Sequence, residues 1–460
     1  MTTLPPAFLE HMQSLLGADY LAFVACYDQP AHIGLRLNTL KLTAEKFRLL
    51  SPFALQPVPW CTSGFRLSEG SEERPGKHPY HAAGLYYLQE PSAMAVGELA
   101  APRPGQRVLD LAASPGGKST HLASLLAGEG LLWANEIRTK RLLPLAANLE
   151  RWGARNVIIS NEPPERLADH LPAFFDVVVV DAPCSGEGMF RKEPNVCLEW
   201  DAGQIPAYAA RQRLILRFAA RLVRPGGCLV YSTCTFNGEE NERVIASFLE
   251  EREDFLPDDL PPLAGLSPAL GTRAGGSDSA LACSARLWPH RSPGEGHFIA
   301  RVRRVTGDSH APRPIRPAPL PRQAEKYLQD FLRANLTQTF AFESAAVMLV
   351  GDRVYLLPPG APDTRGLRLL QPGWHLGYLR RDRFEPSHAL ALALPAEAFL
   401  RTLDFPAADP RLTAYLRGEP LTSEGQDGWL VLCVDGFPLG WGKRVRGVIK
   451  NHYPSGLRWT

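Results

Sequence analysis

The sequence predicts an α/β protein whose largest domain is a doubly wound parallel sheet, with smaller modules on both sides. Two observations predict this class. From about residue 92 to 305, short apolar runs alternate with helical patterns, as in successive strand–helix–strand units. Several of these runs, such as FFDVVVVDAP (174–183), are apolar almost throughout, as expected for strands that helices cover on both faces.

The composition is that of an ordinary globular chain. Of its 460 residues, 45% are hydrophobic and 21% are charged, which argues against disordered, collagen-like and coiled-coil proteins. There are 8 cysteines, and the first residues, MTTLPPAFLE, lack the basic and apolar regions of a signal peptide. No apolar run approaches the roughly 18 residues of a membrane-spanning helix. We therefore expect a soluble, cytoplasmic protein without membrane contact, and we take it to be a monomer.

The first two domains follow in chain order. Residues 1–90 mix short helical and strand patterns and predict a small α+β domain, whose clearest strand is GLRLNTLKL (34–42). Residues 91–305 carry the strand–helix alternation and form the central domain. Its predicted strands are RVLDL (107–111), LLWANE (131–136), NVIIS (156–160), FFDVVVVDAP (174–183) and GGCLVYST (226–233). Its predicted helices are THLASLLA (120–127), RLLPLAANLERWG (141–153) and RQRLILRFAARLV (211–223).

A basic, proline-rich stretch separates the C-terminal third. Arginines and prolines run from Arg301 to Arg322, and residues 306–322 are predicted to be a stiff, extended linker without a folded element. A Gly/Ser-rich loop is predicted at 269–284. Short strand patterns beyond the linker indicate a small intermediate domain at 323–395 and a final module at 396–460.

The end of the chain is locally basic, although the net charge of the whole protein is only +2. No acid follows Asp435, so this segment and the arginines of the linker are candidate contacts to phosphate. Tyr453 and Trp459 could stack on bases or belong to the core. The cations of the segment are Lys443, Arg444, Arg446, Lys450 and Arg458.

A glycine-rich turn follows the strand at 107–111 and opens a helix. In α/β sheets such a turn binds nucleotide-like ligands. A P-loop would need glycine where Ala112 stands, and the dinucleotide fingerprint G-x-G-x-x-G is absent. S-adenosylmethionine fits better, because Glu136 ends the second strand, where a carboxylate can accept hydrogen bonds from both ribose hydroxyls. The candidate loop residues are Ala112, Ala113, Ser114, Pro115, Gly116, Gly117 and Lys118.

Two cysteines follow two strands that we expect to be neighbours in the sheet. Cys184 lies in DAPCSGEG (181–188), and Cys234 lies in YSTCT (231–235). Ligands bind at the carboxyl ends of parallel strands, so both sulfurs should share one cleft with the methyl donor. We expect no metal, because the chain has no CxxC or HxxxH pair.

Paired thiols at this place fit methylation of a pyrimidine at carbon 5. That carbon is too weak a nucleophile to take a methyl group directly. Addition of a thiolate at carbon 6 turns the ring into an enamine, whose carbon 5 is nucleophilic enough to attack the methyl group. A base then removes the proton from carbon 5, and the thiol is eliminated. An acid near ring nitrogen 3 must hold the base, and Asp181 is placed for that role.

At these motifs the sequence resembles the Nop/Sun family of RNA cytosine-C5 methyltransferases, and within it the RsmF-like branch that acts on 16S ribosomal RNA. The resemblance covers nearly the whole chain, and two separate cysteine motifs make it specific. The tail GWGKRVRGVIKNHYPSGLR (440–458) looks like the PUA-like RNA-binding module of that branch. The other matching segments are LRLNTLK (35–41), YLQEPSA (87–93), LDLAASPGGKSTHLA (109–123), ANE (134–136), DAPCSGEGMFRKEP (181–194), VYSTCTFNGEENE (230–242) and RLWPH…GEGHFIA (286–300).

The resemblance implies a Rossmann-like S-adenosylmethionine-dependent methyltransferase domain and a role for each site residue. Cys234 is implied to form the covalent bond to cytosine, and Cys184 to assist release of the methylated product. Asp181 is implied to contact the cytosine and the donor side of the site. The loop and Glu136, where family members often carry Asp, are implied to bind S-adenosylmethionine. Asn161 stands near the position of the family's next acid and is a candidate adenine contact.

The implied partner is 16S ribosomal RNA or the assembling small ribosomal subunit, yet two other functions stay open. A DNA cytosine methyltransferase would use the Pro-Cys cysteine, Cys184, as nucleophile and would carry a large target-recognition insert. A non-catalytic RNA-binding assembly factor could retain the fold, although both cysteines and the loop are intact. Lys192, in the first cysteine motif, is either an RNA contact or a surface lysine.

Overall fold

A computed structural model of the chain describes residues 4–68, 74–271, 282–308, 312–337 and 346–460. Most of the loop predicted at 269–284 lies outside the described residues. The helices are α1 (Pro6–Leu16), α2 (Tyr20–Ala25), α3 (Ala44–Leu50), α4 (Pro79–Ala82), α5 (Pro91–Ala100), α6 (Gly117–Leu125), α7 (Leu142–Trp152), α8 (Pro164–His170), α9 (Pro194–Glu199), α10 (Ile205–Leu222), α11 (Glu242–Glu251), α12 (Arg322–Asn335), α13 (His388–Leu392) and α14 (Pro410–Leu416). Among these described residues, no helix combines the length and apolarity needed to cross a membrane.

The strands belong to one large and several small sheets. They are β1 (Gly34–Leu37), β2 (Leu55–Val58), β3 (Cys61–Leu67), β4 (Tyr86–Leu88), β5 (Arg107–Asp110), β6 (Leu131–Asn135), β7 (Val157–Ser160), β8 (Phe175–Asp181), β9 (Val223–Thr233), β10 (Phe255–Pro257), β11 (Ser267–Pro268), β12 (Ser284–Leu287), β13 (His297–Arg304), β14 (Val347–Val350), β15 (Arg353–Leu356), β16 (Leu369–Gln371), β17 (Trp374–Leu379), β18 (Phe384–Pro386), β19 (Thr402–Phe405), β20 (Leu421–Thr422), β21 (Gly428–Val434), β22 (Phe437–Val445) and β23 (Val448–Asn451).

The large sheet confirms the predicted doubly wound α/β class. Its order is β11-β12-β13-β9-β8-β5-β6-β7-β16, with β10 beside β13. The five strands from β9 to β7 run parallel, and β13 pairs antiparallel with β9. The chain order reverses at β5, which has β8 on one side and β6 on the other. Such a reversal opens the ligand cleft of α/β sheets at the carboxyl ends of the strands.

Buried apolar residues cover both faces of this sheet, which explains the continuous apolar runs. Val178 and Val180 belong to the cluster that α10 covers, whereas Val177 and Val179 belong to the cluster under α5, α6 and α7. Alternate side chains of a strand point to opposite faces, so a strand covered on both sides needs apolar residues at every position.

The N-terminal domain and the final module share one hydrophobic core. The former holds the sheet β2-β3-β1-β4, and the latter holds the sheet β19-β21-β22-β23-β20. Tyr86 of the first and Tyr415 of the second belong to the same buried cluster. The Tyr80 hydroxyl also donates to the Asp435 carboxylate at 2.8 Å. The two ends of the chain therefore form one packed unit.

The proline- and arginine-rich stretch lies between two folded elements, and the described residues of the predicted linker (306–322) form neither a helix nor a strand before Arg322. Its first arginines belong to β13, and α12 begins at Arg322. Between them, the backbone N–H of Ile315 donates to the carbonyl of Ala361 at 3.0 Å, which holds the stretch against the intermediate domain. That domain in turn adds β16 to the edge of the large sheet beside β7.

Candidate active site

The loop after β5 is held from several sides. The backbone N–H of Ala113 donates to the Asn135 carbonyl at 2.8 Å, and the Ser114 hydroxyl donates to the Arg141 carbonyl at 2.9 Å. Gly116 has a φ of +117°, a conformation that favours glycine, and α6 begins immediately after it. The turn between β5 and α6 therefore contains most of the predicted cofactor residues: Ala112, Ala113, Ser114, Pro115, Gly116 and Gly117.

Arg36, from the N-terminal domain, supports the same loop. Its guanidinium is fully buried and donates to the Gly117 carbonyl at 3.0 Å, to the Thr120 hydroxyl at 2.6 Å and to the Gln89 side-chain oxygen at 2.7 Å. It also lies 4.7 Å from the ring centre of Trp152. Sequence analysis did not single out Arg36, and its only signal was its place in the segment LRLNTLK.

Glu136 and Asn161 lie beside the loop, where β6 and β7 end. Glu136 is buried, and its carboxylate accepts a hydrogen bond from the backbone N–H of Arg138 at 2.7 Å. The Asn161 amide donates to the carbonyls of Glu136 at 2.7 Å and of Ile137 at 3.0 Å. Asn161 therefore holds the backbone that carries Glu136, and a contact to adenine stays a prediction.

These residues fit S-adenosylmethionine. Glu136 offers a buried carboxylate, the group that ribose hydroxyls need as acceptor. The loop is close-packed on its inner side, because a Cβ on Gly117 would lie 3.3 Å from the Tyr87 ring. A larger residue at Gly117 would press on the Tyr87 ring, so the packing favours glycine at this position.

The strands β8 and β9 bring the two cysteines together. Asp181 and Ser232 are partners in the parallel register, so the loops that follow them start side by side. The Sγ atoms of Cys184 and Cys234 lie 3.5 Å apart, and both residues are partly exposed. The backbone N–H of Gly188 donates to the Cys234 carbonyl at 2.8 Å and ties the two loops. Both sulfurs thus lie in one cleft.

The surroundings distinguish the two thiols. The hydrogen bond to Cys234, followed by burial, raises the pKa of the Cys184 thiol well above its ordinary value. Cys184 therefore keeps its proton at neutral pH and can donate it to the sulfur of Cys234. The pair therefore places one proton donor, Cys184, against the sulfur of Cys234.

Asp181 and Lys118 form an ion pair in the same cleft. The Lys118 Nζ lies 2.7 Å from one carboxylate oxygen of Asp181, and the Ser232 hydroxyl donates to the other at 2.9 Å. Burial opposes ionisation of Asp181, but the Lys118 charge outweighs it with the help of hydrogen bonds and holds the pKa of Asp181 below its usual value. Lys118 belongs to the predicted loop, but its amine points to the acid of the second motif.

His297, which sequence analysis missed, lies on the other side of Asp181. Its Nε2 atom is 4.0 Å from a carboxylate oxygen of Asp181, and its Nδ1 atom is 3.1 Å from the Gly296 carbonyl oxygen. Burial, followed by the charge of Lys118, lowers the pKa of His297 to about 4, so the ring is neutral at pH 7. The signal in the sequence was the matching segment GEGHFIA.

Part of the predicted basic strip is neutralised. Arg301 and Arg303 each lie 2.8 Å from the Asp258 carboxylate, and Arg304 lies 3.0 Å from that of Asp254. These acids flank β10, which pairs antiparallel with β13. Because the acids beside an adjacent strand supply counter-ions to these arginines, they are less available to phosphate than the sequence suggests, and their contact to RNA stays a prediction.

The basic end of the chain is also divided by burial. Arg444 is buried and donates to the Gln426 carbonyl at 3.1 Å, and Tyr453 belongs to the core shared with the N-terminal domain. Lys192, the cation of the first cysteine motif, is exposed. Of the five cations that follow Asp435, the exposed ones are Arg446, Lys450 and Arg458.

Four family models match successive parts of the chain. The matching family models are described as "N-terminal domain of 16S rRNA methyltransferase RsmF" (4–91), "16S rRNA methyltransferase RsmB/F" (98–303), "RsmF rRNA methyltransferase first C-terminal domain" (330–394) and "Methyltransferase RsmF PUA domain" (402–459). Two relatives are named ribosomal RNA small subunit methyltransferase F. The one from Erwinia tasmaniensis is 32% identical over 98% of this chain and 96% of its own. The one from Shewanella amazonensis is 33% identical over 95% and 93%.

Solved structures share the fold. A methyltransferase homolog protein from Pyrococcus horikoshii is 29% identical, with a TM-score of 0.56, over 65% of this chain and 100% of that one. NSun6 from Pyrococcus horikoshii, solved with SFG, is 22% identical, with a TM-score of 0.58, over 66% of this chain and 100% of that one.

Fold and site together define an S-adenosylmethionine-dependent methyltransferase. Four family models of RsmF proteins match successive parts of the chain, from the N-terminal domain to the C-terminal PUA domain. The chain belongs to the RsmF family of 16S ribosomal RNA methyltransferases, within the Nop/Sun proteins.

Proposed function

We propose that the protein transfers a methyl group from S-adenosylmethionine to carbon 5 of a cytosine in 16S ribosomal RNA, free or in the assembling small subunit. The observation that carries this proposal is the pair of sulfurs of Cys184 and Cys234, 3.5 Å apart, in the cleft that also holds Asp181. The RNA class is supported by the names of the relatives, which methylate small-subunit ribosomal RNA.

Bound S-adenosylmethionine supplies a methyl group on a positively charged sulfur. The Cys234 thiolate adds to carbon 6 of the base, and the displaced ring electrons make carbon 5 the nucleophile that takes the methyl group. Carbon 5 then loses its proton to a base. The electrons of that C–H bond restore the double bond between carbons 5 and 6, and Cys234 leaves as a thiolate. We assign the base to Cys184. Once the Cys234 sulfur is bonded to carbon 6, it no longer carries the charge that the Cys184 proton stabilises, so the largest cause of the raised pKa of Cys184 is removed. Cys184 can then release its proton to solvent and accept the proton of carbon 5.

Asp181 favours cytosine over uracil. Its lowered pKa keeps it ionised, and an ionised carboxylate can only accept hydrogen bonds. Cytosine carries an amino donor at carbon 4, where uracil carries an acceptor oxygen. A uracil in the same orientation would place two acceptors against each other.

The test is a denaturing gel of the enzyme incubated with 16S ribosomal RNA and labelled donor. Cys234→Ala should abolish both methylation and the covalent complex with RNA that contains 5-fluorocytosine. Cys184→Ala should accumulate a covalent complex with unmodified RNA, because attack precedes release. Cys228→Ala, in the buried part of β9, is the matched control and should behave as the wild type. A Cys234→Ala protein that still traps RNA would refute the proposed nucleophile.

A further inference from the structure

A buried polar cluster joins the two cysteine loops without lying in the cleft. Its centre is Glu240, whose side chain is completely buried. The Glu240 carboxylate accepts three hydrogen bonds: from the Ser185 backbone N–H at 3.0 Å, from the Ser185 hydroxyl at 2.5 Å and from the Gln212 amide at 2.8 Å. The mechanism above uses none of these groups.

The cluster holds the chain on both sides of Cys184. Ser185 follows the cysteine, and the Gln212 amide, from α10, also donates to the carbonyl of Pro183, which precedes it, at 3.0 Å. Glu240 is itself fixed, because the Tyr231 hydroxyl donates to its backbone carbonyl at 2.6 Å. The residues before and after Cys184 are therefore held by hydrogen bonds that converge on the Glu240 carboxylate, and these bonds fix the position of the Cys184 sulfur.

The cluster also reaches the second cysteine loop, but that loop has support of its own. The oxygens of the Ser185 and Thr235 hydroxyls lie 2.8 Å apart, which is hydrogen-bond distance. The Asn241 amide holds the Thr235 carbonyl at 2.9 Å, and the Gly188 N–H holds the Cys234 carbonyl. Loss of Glu240 should thus displace Cys184 more than Cys234.

We propose that Glu240 is a positioning residue for the release step: it acts through Ser185, with Gln212 as its partner, to hold Cys184 against the carbon 5 proton. This inference rests on the proposed function, in which Cys234 attacks and Cys184 releases. A carboxylate is required because three donors converge on it. An amide would replace one acceptor oxygen by a donor group and face Ser185 or Gln212 with a like group.

Glu240→Gln tests this assignment in the full-length enzyme. We expect kcat to fall about 10–100-fold, the effect of losing a hydrogen bond to a charged group, with KM for RNA unchanged. A covalent complex with unmodified 16S RNA should accumulate, as in Cys184→Ala, while trapping of 5-fluorocytosine RNA keeps its wild-type rate. The matched control is Glu239→Gln. Glu239 is the neighbouring residue, its side chain is exposed, and its carboxylate forms an ion pair with Arg243.

The double variant with Cys184→Ala separates positioning from a general structural role. If Glu240 acts through Cys184, Glu240→Gln adds nothing to the loss caused by Cys184→Ala. If the kcat losses of the two single variants multiply in the double variant, the inference is overturned. It is also overturned if Glu240→Gln slows the trapping of 5-fluorocytosine RNA as much as it lowers kcat. If Cys184→Ala itself gives no covalent complex, the proposed function fails, and this inference fails with it. Should Glu240→Gln not fold, Gln212→Met, which removes one donor and keeps the volume, decides the question by the same comparisons.

Discussion

Arg36→Met should weaken the cofactor site from the N-terminal domain. Methionine keeps much of the aliphatic volume but cannot donate to Gln89, Gly117 or Thr120. Each lost hydrogen bond from a charged donor is worth about 1.5–3 kcal/mol, and relief of the buried charge offsets several kcal/mol of that total. The cost of burying the charge is visible in the pKa of Arg36, which burial lowers to about 10. We expect the free energy of unfolding to fall by about 2–4 kcal/mol.

The assay combines urea unfolding with calorimetric titration of S-adenosylmethionine. Since the Gly117 carbonyl belongs to the cofactor loop, we expect the dissociation constant to rise about tenfold, which corresponds to about 1.4 kcal/mol. The control is Arg48→Met, because Arg48 is an exposed arginine of the same domain and should change stability by less than about 0.5 kcal/mol. If the Arg36→Met protein were as stable as the wild type, the three hydrogen bonds of Arg36 would not stabilise the fold as argued. If stability fell but the affinity for S-adenosylmethionine did not change, Arg36 would stabilise the fold without supporting the cofactor site.

Further predictions follow from the charges. Lys118→Met removes the charge that lowers the pKa of Asp181, so burial alone should raise this pKa and move the acid limb of the pH–rate profile to higher pH. The control is Lys192→Met, at an exposed lysine, which should leave the acid limb in place. Glu242→Gln breaks a buried ion pair with Arg286, at 2.6 Å, and should cost about 3–5 kcal/mol in urea unfolding; a loss below about 1 kcal/mol would contradict this. Alanine at the three exposed cations after Asp435, which are Arg446, Lys450 and Arg458, should raise the dissociation constant for 16S RNA and leave donor binding unchanged. The salt dependence of RNA binding should flatten by about 0.7–0.9 per lost phosphate contact, and an unchanged salt slope would exclude these residues from the RNA surface.

Substitution is preferable to deletion for the final module. Tyr415 and Leu432 of that module are completely buried in the cluster that also holds Leu35 and Phe47 of the N-terminal domain. Removal of residues 396–460 would expose this core, so a loss of RNA binding in the deletion could not be assigned to lost phosphate contacts.

The central sheet and the shared cleft of the two cysteines could be predicted from the amino-acid sequence alone. A continuous apolar run predicts a strand that is buried on both faces. In the structure, Val177 and Val178 pack into two different hydrophobic clusters, one on each face of the sheet. Because strands of a doubly wound sheet end at one edge, the position of Cys184 and Cys234 after two late strands was enough to predict a shared cleft. These inferences depend on periodicity and chain order, which are local properties of the sequence.

Which distant residues contact these motifs depends on how the whole chain packs. Arg36 reaches the cofactor loop from another domain, Lys118 turns from that loop to Asp181, and Glu240 supports a cysteine that stands far before it in the chain. The arginines of β13 looked free in the sequence, but β10 brings their counter-ions alongside. A charged or polar side chain can satisfy its hydrogen bonds with many partners, and packing alone decides which partner lies within about 3 Å.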